Sequence, residues 1–287
     1  MSEWVKAVLF GLVEGITEWL PISSTGHLIL LNEVIRLEVS EEFYRMFEVV
    51  VQLGAILAVV VLFWKEIFPF SLEQRGAQAD GRERKSLHLH KDITMLWAKI
   101  ILACVPAGGI GILFQEELER LFYHPVSVAL ALILFGIAFL VIEEKHKGQE
   151  ATINSVDELS WNTALMIGVF QLLAAVFPGT SRSGATIIGA LLMGVSRKTA
   201  AEFTFFLAVP VMFGASLLKL LSFGLSFTAS EQMILVLGMG TAFISSVLVI
   251  RFLLAFIKKH DFKVFGWYRI ALGIIVIALG AGGIISV

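Results

Sequence analysis

The chain has 287 residues, with 24 Asp and Glu against 22 Lys and Arg, a net charge of −2; 57% of its residues are apolar and 25 more are glycine. Apolar residues plus glycine therefore make up roughly two-thirds, above the about 45–50% of soluble domains, while charged residues at 16% fall below the usual quarter. A folded sphere of this length cannot hide so much apolar surface, which excludes a soluble enzyme or a disordered chain, and the near-neutral balance offers nothing to nucleic acid.

From the N-terminus, the first apolar stretch, residues 4–31, is broken by Glu14, Glu18, Pro21 and the polar string Ser23-Ser24-Thr25-Gly26-His27. It does not read as a signal peptide, because carboxylates interrupt its apolar part and no small-residue cleavage site follows. Glu14 and Glu18 stand four apart, on one helix face. Gly11 and Gly15 lie on the neighbouring face, where another backbone can come close. An ionisable group at a helix centre in lipid costs at least about 2.5–3.5 kcal/mol and marks function by default. Val13, Ile16, Trp19 and Leu20 leave no solvated face around this pair. Pro21 ends the half-helix, and Ser23-Ser24-Thr25-Gly26 opens a second one, whose free N–H groups and positive dipole end attract anions.

Six spans follow near 49–68, 96–115, 124–142, 200–221, 232–257 and 265–286, each close to the about 20 residues a helix needs to cross hydrocarbon. The alternating ten-residue strands of a barrel are absent from the sequence. Glu48 and Glu202, each at the start of a span, read as helix-start acids or as cavity residues; Gln52 reads as core, and Lys99 as snorkelling near a span end. The polar stretch Lys65–Asp92 carries Lys65, Arg75, Arg82, Arg84, Lys85 and Lys91 and reads as a solvated cytoplasmic linker. Lys145, Lys147, Lys258, Lys259 and Lys263 fall on the same side, and the opposite loop, 115–124, holds three Glu and one Arg. Both termini are then expected outside. Cys104 is the single cysteine, so no internal disulfide is expected.

A second broken stretch, 159–193, is interrupted at Pro178-Gly179-Thr180-Ser181-Arg182-Ser183-Gly184. It repeats the first: Gly11-Leu12-Val13-Glu14 matches Gly168-Val169-Phe170-Gln171, and at the same offset Leu20-Pro21 matches Phe177-Pro178 and Ser23-Ser24 matches Thr180-Ser181. The chain thus divides into halves 1–150 and 151–287, each one re-entrant hairpin plus three transmembrane helices. An odd number of crossings inverts the second half, so the expected fold is an all-α integral membrane protein with an inverted-topology repeat. Two helix N-termini then approach from opposite faces. Between them lie Ser23, Ser24, Thr25, Gly26, His27, Ser181, Arg182, Ser183, Gly184 and Thr186, an anion site built for phosphate. His27 alone reads equally as a structural residue, and Arg182 as a snorkelling one. Arg182 however follows a Pro-Gly break rather than a loop end.

At these motifs, Glu14–His27 and Pro178–Thr186, together with Phe47–Gly54, the sequence resembles the undecaprenyl-diphosphate phosphatase family, also called bacitracin-resistance proteins. The resemblance runs over essentially the whole chain and implies hydrolysis of a C55 polyprenyl diphosphate to its monophosphate and phosphate. That reaction recycles the lipid carrier of cell-wall synthesis and confers bacitracin resistance, in the bacterial plasma membrane with the site toward the outer face. It implies catalytic roles for Glu14, His27 and Arg182, supported by Glu18 and Ser24. The bilayer and a lipid diphosphate are the expected partners, with no nucleic acid, and glycines 108, 109, 111, 136, 238 and 240 suit internal packing or a homodimer contact.

That substrate poses an electrostatic problem. At about 5 Å and an effective dielectric near 20, each carboxylate–phosphate pair costs roughly 3 kcal/mol, more than Arg182 alone offsets. A divalent cation, Mg²⁺ or Ca²⁺, held by Glu14 and Glu18 is therefore expected. For the bond-breaking step, either His27 attacks phosphorus or activates Ser24, or water attacks with His27 as general acid. The rival reading is a transporter or lipid flippase for an anionic substrate, since broken helices in inverted repeats serve transport as well.

Overall fold

A computed structural model describes residues 1–75, 84–122, 124–224 and 226–282. Their elements, in chain order, are α1 (Glu3–Thr17), α2 (Ser24–Val34), α3 (Glu41–Val50), α4 (Gln52–Leu62), α5 (Trp64–Ile67), β1 (Phe70–Arg75), β2 (Arg84–Leu89), α6 (Lys91–Phe122), α7 (Pro125–Lys145), α8 (Trp161–Val176), α9 (Arg182–Leu192), α10 (Arg197–Phe223), α11 (Ala229–Phe256) and α12 (Lys263–Ala281). Among the described residues, six helices are long and apolar enough to cross a membrane: α3–α4 as one segment, Lys91–Gly111 of α6, α7, α10, α11 and α12. The protein is an all-α membrane protein.

Polar starts and stops set these boundaries. The first span begins at Glu41, well before residue 49, because the Ser40 hydroxyl caps the Phe43 N–H at 3.1 Å and Glu41 and Glu42 suit the first turn. Glu48 is therefore not a helix-start acid; it lies inside the helix and accepts from Tyr44 Oη at 2.9 Å. The second span begins at Lys91 and kinks at Phe114 (φ −127°, ψ 16°). Lys99 is 8% exposed and donates to the carbonyl of Asp157, in the loop before α8, at 3.3 Å. Residues 283–286 of the last expected span lie outside the described residues.

The stretch expected to be a plain linker is partly ordered as an antiparallel hairpin, Phe70 opposite Leu89 through Arg75 opposite Arg84. Its residues 76–83 lie outside the described residues.

Lipid tails are as apolar as the helices, so close van der Waals packing holds the bundle together. A Cβ on Gly11 would lie 2.2 Å from the Gly238 carbonyl oxygen, which fixes the crossing of α1 on α11. Likewise a Cβ on Gly168 would lie 2.3 Å from the Ala103 carbonyl oxygen, where α8 crosses α6. Among the described residues, nothing beyond the glycine's own helix backbone and chain neighbours comes within 4 Å of such an added Cβ on Gly108, Gly109, Gly111 or Gly240. Around these crossings an aromatic core forms from Trp19, Phe63, Phe139, Phe203, Phe205, Phe206 and Phe262. The turns of the two short-helix units α1–α2 and α8–α9 meet beside it, Trp19 of the first turn being one of its members.

Candidate active site

Both turns carry an unusual backbone. Ser23 (φ 75°) and Ser181 (φ 69°) are the described non-glycine residues with positive φ, a conformation that costs about 1–3 kcal/mol and persists where surrounding contacts enforce it. Each is the N-cap of its short helix. Ser23 Oγ accepts from the Gly26 N–H at 3.4 Å, and Ser181 Oγ from the Gly184 N–H at 3.2 Å. Ser23 thus corresponds to Ser181, and Ser24 to Arg182, one residue out of register with the pairing expected from the sequence. One residue, Ile22, separates Pro21 from its cap, whereas Gly179 and Thr180 separate Pro178 from Ser181.

The turns are joined by charge. Arg182, at the first position of α9, donates through Nη2 to Glu18 Oε1 at 2.8 Å and through Nη1 to the Thr204 carbonyl at 3.1 Å. The other Glu18 oxygen accepts from Ser24 Oγ at 2.5 Å. Ser183 Oγ donates to the Glu18 carbonyl at 3.0 Å, so its hydroxyl locks the turns together. Thr186 supports Arg182 from behind, donating to its carbonyl at 2.9 Å and meeting Thr204 Oγ1 at 2.9 Å. Of the residues expected at the site, Glu18, Ser24, Arg182 and Ser183 are therefore in direct contact, and Gly26 and Gly184 supply capped N–H groups. Thr25, between Ser24 and Gly26, is partly buried.

Glu14 stands one turn before Glu18 with no exposed surface and no hydrogen-bond partner on either carboxylate oxygen. A buried, unsatisfied carboxylate calls for a cation or a donor. Among the described residues no cluster of three His, Cys, Asp or Glu could hold a metal by itself. Glu14 nevertheless suits a cation completed by substrate oxygens, the usual manner of Mg²⁺, and each Glu18 oxygen keeps a second lone pair.

His27 shares a helix face with Ser24, three residues earlier, but the two do not hydrogen-bond: Ser24 turns to Glu18. His27 Nδ1 is 2.7 Å from the Ser23 carbonyl and Nε2 is 2.7 Å from Tyr268 Oη. A carbonyl only accepts, so Nδ1 carries a proton. His27, Tyr268 and Thr17 are the polar lining of a groove of about 390 Å³ between α1 and α12, otherwise walled by Val13, Ile16, Leu20, Ile22, Val264 and Phe265.

Three participants escaped sequence reading. Arg269 of α12 has no exposed surface, and its guanidinium donates to the carbonyls of Pro21 (3.2 Å), Gly179 (3.0 Å) and Thr180 (2.7 Å), clasping both turns. An arginine beside the last apolar run was the available signal. Thr204, a lone hydroxyl in the apolar part of α10, and Tyr268 were legible only as polar residues near membrane depth.

A family model described as "Bacitracin resistance protein BacA" matches residues 7–275. The chain is 56% identical over 277 residues to an undecaprenyl-diphosphatase of Desulfitobacterium hafniense, covering 96% of each. It is 57% identical over 271 residues to undecaprenyl-diphosphatase 1 of Clostridium acetobutylicum, covering 94% of this chain and 95% of that one. An undecaprenyl-diphosphatase of Enterococcus faecalis is 56% identical over 279 residues, covering 97% and 98%.

Proposed function

The chain belongs to the bacitracin resistance protein BacA family, a multi-pass bacterial membrane protein, and from that membership we propose that it hydrolyses undecaprenyl diphosphate to undecaprenyl phosphate and phosphate. The observation that carries this reading is the Glu18–Arg182 ion pair with Ser24 on its free side, at the meeting point of two helix N-termini. A serine hydroxyl, a carboxylate that receives its proton and a guanidinium for the transferred oxygens are the parts phosphoryl transfer needs.

The reaction divides into two displacements. Ser24 Oγ attacks the terminal phosphorus while its proton passes to Glu18 Oε2. The bond to the bridging oxygen breaks, and its electrons leave with the lipid monophosphate. Water then attacks the seryl phosphorus, Ser24 Oγ departs and recovers its proton from Glu18, and the water's proton goes to His27 Nε2. Arg182 has two of its five N–H donors engaged and turns the rest to the phosphate oxygens. Ser23 and Ser181 hold the N-termini of α2 and α9 in place by capping Gly26 and Gly184, and Thr25 lies beside Ser24 in the first turn of α2. Glu14, with Glu18 beside it, would hold a divalent cation, which would supply charge neutralisation of the diphosphate. The first isoprene units of the tail seat in the groove between α1 and α12.

We further propose that α1–α2 and α8–α9 are re-entrant hairpins in two inverted halves, 1–150 and 151–287, with both termini and the site toward the outside. In support, α2 and α9 have 11 residues each, a rise of about 16 Å against about 30 Å of hydrocarbon. The exchanged crossings, α1 on α11 and α8 on α6, are those a two-fold relation requires. So is the reciprocal contact of α7 and α12. A Cβ on Gly136 would lie 2.8 Å from the Gly266 oxygen, and one on Gly266 2.9 Å from the Gly136 oxygen.

The test is phosphate release from undecaprenyl diphosphate by purified protein in detergent, where no gradient can drive transport. The wild-type protein is expected to release one phosphate per lipid, and Arg182→Ala to be slower by at least about a hundredfold, as for loss of one oxyanion donor. Folded wild-type protein that releases none would instead favour a transporter.

A further inference from the structure

We propose that Tyr268 is a positioning residue for His27, its hydroxyl holding the imidazole as the Nδ1–H tautomer with Nε2 as the working nitrogen. The inference rests on the hydrolase reading above and names a residue that neither the motifs nor that reading requires. His27 is held from its two ends. The Ser23 carbonyl, on a residue whose φ of 75° sets its direction, fixes the proton on Nδ1 at 2.7 Å. That leaves a lone pair on Nε2, and Tyr268 Oη, 2.7 Å away, is the donor that fills it. The second ring nitrogen's partner decides which nitrogen works in a histidine site. The rings also lie nearly parallel, 5° apart with centroids at 5.6 Å, so the phenol hydroxyl meets the Nε2 edge of the imidazole.

Tyr268 is itself placed by a neighbour. Arg269, the next residue, is wholly buried and donates to carbonyls of both turns, which fixes the register of α12 against the site. Tyr268, by contrast, is 45% exposed and lines the apolar groove beside His27. It therefore occupies Nε2 in the resting protein from the side by which substrate and water arrive, and yields that nitrogen without the ring having to turn or exchange tautomer. A phenol with this freedom, next to an anchor without any, suits preorganisation rather than packing.

The experiment compares Tyr268→Phe and Tyr268→Leu with the wild-type protein in the detergent assay, measuring kcat, KM and Tm. If the hydroxyl positions His27, both variants lose kcat about tenfold, KM stays within about threefold, and the Tm of Tyr268→Phe is unchanged. If Tyr268 only fills space, Phe keeps the wild-type kcat and Leu alone is impaired; that result overturns the proposal, as does a Phe variant altered in KM alone. A measurement on the unaltered protein stands beside these: ¹⁵N spectra of histidine-labelled protein should show His27 with Nδ1 protonated and Nε2 bare, and the opposite tautomer overturns the inference. Wild-type activity that depends on Arg182, with a Tyr268→Phe variant equal to wild type, would sink this inference and leave the hydrolase reading intact.

Discussion

Glu14, Glu18, Arg182 and Arg269 are four charges in a space with little water: the two carboxylates are 0% and 8% exposed, Arg269 is 0% exposed, and Arg182 pairs with Glu18. With Arg269 counted, the formal sum is zero before substrate arrives, whereas Arg182 alone leaves it negative. Arg269 is bonded to carbonyls rather than to a carboxylate, and the incoming diphosphate brings negative charge beyond what the two guanidinium groups offset. The cation expected at Glu14 serves that need. Chelation by EDTA is predicted to abolish phosphate release, Mg²⁺ or Ca²⁺ to restore it, and Glu14→Gln to raise the cation concentration required for half-maximal rate; release unaffected by EDTA would contradict this role. Ser24 carries a second prediction. Substrate labelled on its terminal phosphate, quenched in acid, should leave acid-stable, base-labile label on the wild-type protein and none on Ser24→Ala. Base-stable, acid-labile label would point instead to His27. The acidic pair and Arg182 were legible because charge in an apolar run is conspicuous. Arg269 was not, because it sits at the edge of its run, where a snorkelling side chain looks the same, and its partners lie 248 and about 90 positions away.

Helix ends, rather than helix interiors, carry the information at the next scale. Ser23 and Ser181 cap α2 and α9 from strained backbone, and the Pro21 and Pro178 breaks precede them by unequal lengths. The sequence repeat therefore aligned Ser24 with Ser181, while the caps align it with Arg182. An alignment by residue type cannot see where one turn takes an extra residue. The spans themselves were plain from their composition, but their starts shifted to capping residues such as Ser40, and Glu48 moved inside a helix as a result. Glycine at the crossings is a firmer guide. Gly11→Leu would drive a side chain into the Gly238 backbone, already 2.2 Å from an added Cβ, and should part α1 from α11. Overpacking of this kind costs roughly 1–3 kcal/mol, so the variant should melt several degrees lower in detergent, while Gly108→Leu, with open space around it, should melt as the wild type does. Equal melting of Gly11→Leu would mean that this crossing is looser than its geometry.

Across the whole molecule, α1 lies on α11 and α8 on α6, with α7 against α12 at a reciprocal glycine contact, the exchange the proposed two-fold repeat would produce. The proposed site draws Glu18 and Ser24 from the α1–α2 unit and Arg182 from α9, with Arg269 of α12 clasping both turns. The most direct measurement is an experimental structure with a non-hydrolysable polyprenyl methylene-bisphosphonate. The account predicts its terminal phosphonate between the N-termini of α2 and α9, touching Arg182 and within reach of Ser24, with the tail entering between α1 and α12. A head group bound to one turn only, or on another surface altogether, would contradict it.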